Sequence, residues 1–282
     1  MGEGPPERIL TKEQVEAFVN ASNRSVDSLL SAFRLGGDDA YLKEALERFP
    51  DHPQVLMTSL SQVQDAEKRL AILENLKRVD PTNALGNCMA ARSLLALGRK
   101  QEALEELQKS VGKPVNDFTN ASTQNDEEAY LASGLTPAQA KLMALSGGSK
   151  SLLLQFRTLA DGMRDMRKDY QAAGDDQSVE SLREIQIGMA RQLQEGGRLV
   201  DFLVGTVVEK EALKGLESEE ATARLEELKQ QKELLVGRTN QVAELMKDSA
   251  VPEGDWQLYF DRVKLFGENA ANEWMLEKHP QR

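Results

Sequence analysis

Apolar residues recur along this chain in steps of three and four, and no stretch sustains an apolar–polar alternation. That pattern predicts helices and almost no strand. The cleanest run is Ser149 to Ala172, where Leu152, Phe156, Leu159, Met163, Met166 and Tyr170 alternate in steps of four and three, a heptad seam. Asp176 to Glu195 answers with Val179, Leu182, Met189 and Leu193, interrupted by Gln186. Joined by a short turn at Gly174, these two helices are expected to pair antiparallel. Arg198 to Leu216 is the most apolar segment and is expected to be buried on several sides. Glu217 to Lys247 reads as a long charged helix with a narrow ladder of Leu228, Leu235 and Val242, packed on one side, with Glu220 and Arg224 spaced to pair. Pro252 opens a final aromatic-rich helical pair, with Trp256, Tyr259, Phe260 and Trp274 read mainly as packing residues.

Upstream, Thr11 with Gln14 three residues on forms a capping-box pattern, and Val15, Phe18 and Val19 give that first helix an apolar face. Three helix-turn-helix units follow: Ser25 to Pro50, Pro53 to Pro81, and Asp80 to Pro114. In the last, Ala84 to Ala96 and Lys100 to Val111 are the expected helices, and Gly98 sits where a helix end needs a positive φ. Pro50, Pro81 and Pro114 close the units at intervals of 31 and 33 residues. Val115 to Asp126 (VNDFTNASTQND) is rich in side chains that bond their own backbone, and is expected to be a linker. Glu127 to Gly134 then reads as a short helix, and Thr136-Pro137 starts another that ends at Gly147-Gly148.

Ala91 and Ala103 at close-packing positions, Gly98 in the turn and the closing Asp80-Pro81 make residues 23–114 resemble the tetratricopeptide-repeat family. Asn87 stands where that family usually has a large aromatic residue. With the resemblance, the expected fold class is all-α: a short tetratricopeptide-like hairpin solenoid followed by an antiparallel helical bundle. The expected domains are residues 1–114, a linker over 115–126 and a bundle over 127–282. The resemblance implies a concave groove, lined by the first helix of each repeat, that takes a protein or peptide partner. Some members clamp a peptide carboxylate with paired Lys and Asn residues, a set this chain does not reproduce. The candidate groove residues are Asn87, Arg92 and Gln62.

Composition narrows the function classes. The net charge of −11 argues against nucleic acid, which needs clustered Lys and Arg, and against anionic lipid. No apolar run approaches the ~18 residues of a membrane-spanning helix. The opening Met1-Gly-Glu-Gly-Pro-Pro gives the expectation that a signal or anchor once preceded it, so that either a cytoplasmic or an exported location fits. The lone Cys88, between Asn87 and Met89, is expected to be a small buried residue rather than a catalytic thiol. His52 and His279 share no ligand spacing, so no metal or other cofactor is expected. Gly147-Gly-Ser-Lys-Ser151 departs from a phosphate loop, which places Gly directly before Lys and follows a strand. Asp161, Asp165 and Asp169 share a helix face, but interleaved Arg157, Arg164 and Lys168 make that a solvated, ion-paired surface. The expected function is therefore a non-enzymatic interaction or scaffold module. The alternative is a structural component that self-associates through the seam from Leu152 to Tyr170.

Overall fold

The computed structural model describes residues 10–147 and 150–280, with the helical backbone alone for 150–153. Among the described residues the chain forms fifteen α-helices and no strand. They are α1 (Lys12–Ala21), α2 (Val26–Gly36), α3 (Asp39–Arg48), α4 (Pro53–Ser59), α5 (Ala66–Val79), α6 (Ala84–Ala96), α7 (Lys100–Ser110) and α8 (Thr119–Ala132). Then come α9 (Pro137–Ser146), α10 (Lys150–Ala172), α11 (Asp176–Gln194), α12 (Leu199–Leu213), α13 (Glu219–Leu245), α14 (Glu253–Phe266) and α15 (Glu268–Lys278). A single 3-10 turn, Leu60–Gln62, follows α4. Local chemistry sets several of these boundaries. Gln14 N donates to Thr11 Oγ1 at 3.3 Å while Thr11 N donates to Gln14 Oε1 at 3.0 Å, completing the capping box of α1. Thr136 and Gln139 repeat it at α9. Between α6 and α7, Gly98 takes φ +74°, which a side chain would disfavour.

The helices gather into two compact units, each built from two separate stretches of chain. One holds the described residues of Met1–Asp80 and Phe118–Gly148; the other holds those of Pro81–Asp117 and Ser149–Arg282. The boundaries expected at 114 and 127 do not follow this grouping: α6 and α7 belong with α10–α15, and α8 and α9 with α1–α5.

In the first unit α2 is central, packing against α1, α3, α4 and α8. Leu29, Leu30, Val19, Ala45 and Val55 are fully buried there with Ala140 of α9. A leucine buried this completely contributes about 2 kcal/mol of transfer free energy. Within this unit α2 pairs with α3 and α4 with α5, and α4 also lies against α2 and α3.

The expected linker is corrected here: residues 119–126 are the first turns of α8. Thr119, Thr123, Asp126 and Glu127 are buried, a polar stripe at helical spacing. Asp126 accepts hydrogen bonds from Ser31 Oγ at 2.8 Å and from Arg34 Nη2 at 2.6 Å on Oδ1, and from Arg34 Nε at 3.1 Å on Oδ2. Gln54 Nε2 donates to Ser122 Oγ at 3.1 Å, and Asn125 Nδ2 to Asp27 Oδ1 at 2.8 Å. Side chains that would otherwise bond their own backbone are engaged across helices instead, so the segment is held helical by its neighbours.

In the second unit the seam of α10 faces inward. Phe156, Leu159, Met163 and Met166 are at most 1 % exposed, while the Leu152 side chain lies outside the described residues. α10 packs on α6, α11 and α12, so its seam is consumed within one chain. Self-association through the buried part of that seam would require α10 to leave its unit. α11 and α12 approach closely because Gly205 has no side chain: a Cβ there would stand 2.6 Å from Ala190 O. Gln186, which interrupts the apolar face of α11, is fully buried and donates to Val208 O at 3.0 Å. It also accepts from Arg167, whose other terminal amine donates to Glu211 O at 2.6 Å. With Arg183 Nε donating to Ala212 O at 3.3 Å, two cations close the carbonyl end of α12. The expected Glu220–Arg224 pair is replaced: Arg224 bonds Glu209 at 2.8 Å and Glu227 at 2.7 Å.

Candidate functional site

The three groove candidates meet different fates. Gln62 is exposed at the end of the 3-10 turn in the first unit. Asn87 and Arg92 both lie on α6 in the second unit, and five residues place them about 140° apart around the helix. Within the second unit, Asn87 and Arg92 therefore do not share a face of α6.

Asn87 is corrected from groove residue to internal strut. It is 4 % exposed. Its Nδ2 donates to Glu106 Oε2 of α7 at 2.8 Å, and its Oδ1 accepts from Lys113 Nζ at 3.3 Å. The amide of Asn87 thus fixes α6 to α7 by a directed bond. The open end of the same hairpin is closed by Asn83, whose Oδ1 accepts from Leu85 N and Asn116 N, both at 3.0 Å, and whose Nδ2 donates to Asn116 O at 2.8 Å.

Arg92 is the single charged residue of α6. It is half-buried, and its Nε is enclosed without a hydrogen-bond partner. The terminal amines have no partner either and stay within reach of solvent. Burial pulls its pKa down, since nothing compensates the lost hydration of the charge. Among the described arginines that are not exposed, it alone has no hydrogen bond, ion pair or ring contact.

Other polar clusters are closed on themselves. Glu209 is 1 % exposed, and burial pushes its carboxyl pKa up. The hydrogen bonds from Arg224 and from Gln194 Nε2 at 2.7 Å outweigh that and leave it lowered overall. A cleft of about 80 Å³ in the second unit is lined in part by Arg198, Phe202, Thr239, Glu268 and Asn272. Glu268 accepts from Leu199 N at 2.8 Å and from Thr239 Oγ1 at 3.3 Å, and Asn272 bridges Thr239 and the Tyr259 hydroxyl. Arg198 is paired with Asp201 at 2.8 Å. These bonds tie α12 to α13 and α15 and leave little to offer a ligand.

Burial also pushes the Cys88 thiol up to about 12, so it stays neutral at ordinary pH. His279 bonds Asp255 at 2.9 Å, beside Lys278. Among the described residues no group of three His, Cys, Asp or Glu side chains is placed to hold a metal ion, and no helix is long and apolar enough to cross a membrane. Gly148 and Ser149 of the glycine-serine stretch lie outside the described residues.

Sequence reasoning reached Arg92 but missed the Arg34–Asp126 pair. The signal for the latter was present as Thr119, Thr123, Asp126 and Tyr130, a helical stripe made of polar rather than apolar residues. Comparisons with protein-family models, with curated proteins and with solved structures found no match to this chain.

Proposed function

We propose that this chain is a non-enzymatic binding or scaffold module that engages a protein or peptide partner through its helical hairpins. The observation that carries this reading is Arg92: a half-buried guanidinium without an internal partner, on the first helix of a hairpin. An uncompensated cation costs stability, and a group supplied from outside would offset that cost. Support also comes from the pairing of α2 with α3 and α4 with α5, and from the stacking of α4 on both helices of the preceding pair. We read the α2–α3 and α4–α5 pairs of the first unit, and separately the α6–α7 hairpin of the second, as tetratricopeptide-like, with α10–α15 as a bundle that supports the last of these.

The test is affinity capture from source-cell extract with the whole chain and its Arg92→Glu variant. A partner recovered by the first and lost by the second, with unchanged melting of the variant, supports the reading. Equal recovery by both would overturn it.

A further inference from the structure

We infer that Arg92 is the anchor of an oxyanion site, whose ligand is a carboxylate or phosphate group approaching the terminal amines of its guanidinium. This rests on the interaction reading above and names the chemistry of what is bound. This chain supplies partners to its other half-buried arginines. Arg34 faces both carboxylate oxygens of Asp126, and Arg24 is held by Glu44 at 2.5 Å and Glu16 at 2.8 Å. Even Arg167, buried away from hydrogen-bonded carboxylates, spends its amines on an amide oxygen and a backbone carbonyl. Arg262 rests over the Trp274 ring at 4.6 Å. Arg92 has none of these.

Its geometry also limits what can answer it. Nε is enclosed and its edge of the guanidinium faces inward. The two terminal amines form the remaining edge, whose parallel N–H bonds match a pair of oxygens on one atom. A neutral acceptor such as a single carbonyl would use one amine and leave the charge unanswered. A carboxylate or phosphate satisfies both. The rest of α6 carries no acidic or basic side chain, so no charge on that helix competes with the incoming anion.

The Nε–H of Arg92 gives a direct readout, because an enclosed N–H exchanges slowly enough to be seen in a ¹H–¹⁵N spectrum. Arg92→Lys assigns the resonance by deleting it. The whole chain is then titrated at fixed ionic strength with inorganic phosphate, and separately with an acetylated, amidated peptide of alternating Glu and Gly. A saturable shift at Arg92, with the half-buried, paired Arg34 and Arg224 unmoved, supports the site. Saturation by the peptide at a tenfold or lower concentration than phosphate assigns a partner's carboxylates; the reverse order assigns a free phosphate group. Arg92 unmoved by both, or all arginines moving together without saturation, would overturn the oxyanion site. If the shift is absent while Arg92→Glu still abolishes capture, this inference fails and the interaction reading stands. If the shift is present while capture is unaffected, the interaction reading fails alone.

Discussion

Arg34 on α2 and Arg92 on α6 are both half-buried, both on the first helix of a hairpin, and opposite in every other respect. Arg34 meets Asp126, 11 % exposed in its side chain, through a two-pronged pair reinforced by Ser31. That pair joins segments more than ninety residues apart in sequence and makes α8 part of the first unit's core. Arg92 joins nothing. The contrast teaches that burial alone does not identify a structural arginine. What distinguishes the two is whether the chain itself supplies the counter-charge.

The largest expected effect breaks the answered member. Asp126→Ala strands Arg34 and Ser31 and should cost about 3 kcal/mol, read as a drop in the urea midpoint. The double variant with Arg34→Ala should cost less than the sum of the two single changes, because the second removal relieves the stranded charge.

A third arginine extends the comparison to acid. Arg24 draws the Glu44 carboxyl down to about 2, against an unperturbed 4.5. Glu16 is also lowered, first by the Tyr41 hydroxyl and then by Arg24. A carboxyl that titrates lower when folded stabilises fully above its unfolded value and loses that contribution as pH falls toward 2. After allowance for solvent screening the loss should be about 1–2 kcal/mol, and Arg24→Gln should flatten it in a pH series of melting curves.

Asn87→Ala removes the α6–α7 strut and should cost about 1 kcal/mol in the same denaturation assay. At the bottom of the scale, Arg92→Gln should change stability by less than ~0.5 kcal/mol or raise it slightly, since no internal bond is lost. A cost near that of Asp126→Ala would collapse the distinction between the two arginines.

The sequence carried the helices well and their company less well. The expected Ala84 to Ala96 helix coincides with α6, and both capping boxes form with their reciprocal bonds. Asp161, Asp165 and Asp169 are ion-paired to Arg164, Lys168 and Lys100, close to the expected charged face. Periodicity and caps are local properties, so they survive in a single sequence. The first turns of α8, up to Asp126, read as linker because they are rich in Ser, Thr, Asn and Asp, and the bonds that hold them come from α2 and α4. Gln186 looked like a flaw in a stripe and is a buried junction between α10 and α12. Asn87 is a strut because of Glu106 and Lys113, which lie 19 and 26 residues further along the chain. Arg92 could be singled out as a lone charge on its helix, but its lack of a partner is a fact of three dimensions.

The alternation of the chain between its two units bears on how a ribosome delivers it. α1–α5 emerge first but lack α8, and with it the Asp126 carboxylate that Arg34 requires. α6 and α7 emerge next and must wait for α10 before their outer face is covered. The nascent chain therefore holds an incomplete first unit and an unsupported hairpin at the same moment. Stopping translation between α7 and α8 would strand both, so a fragment ending near Pro114 should be a poor stand-in for either unit.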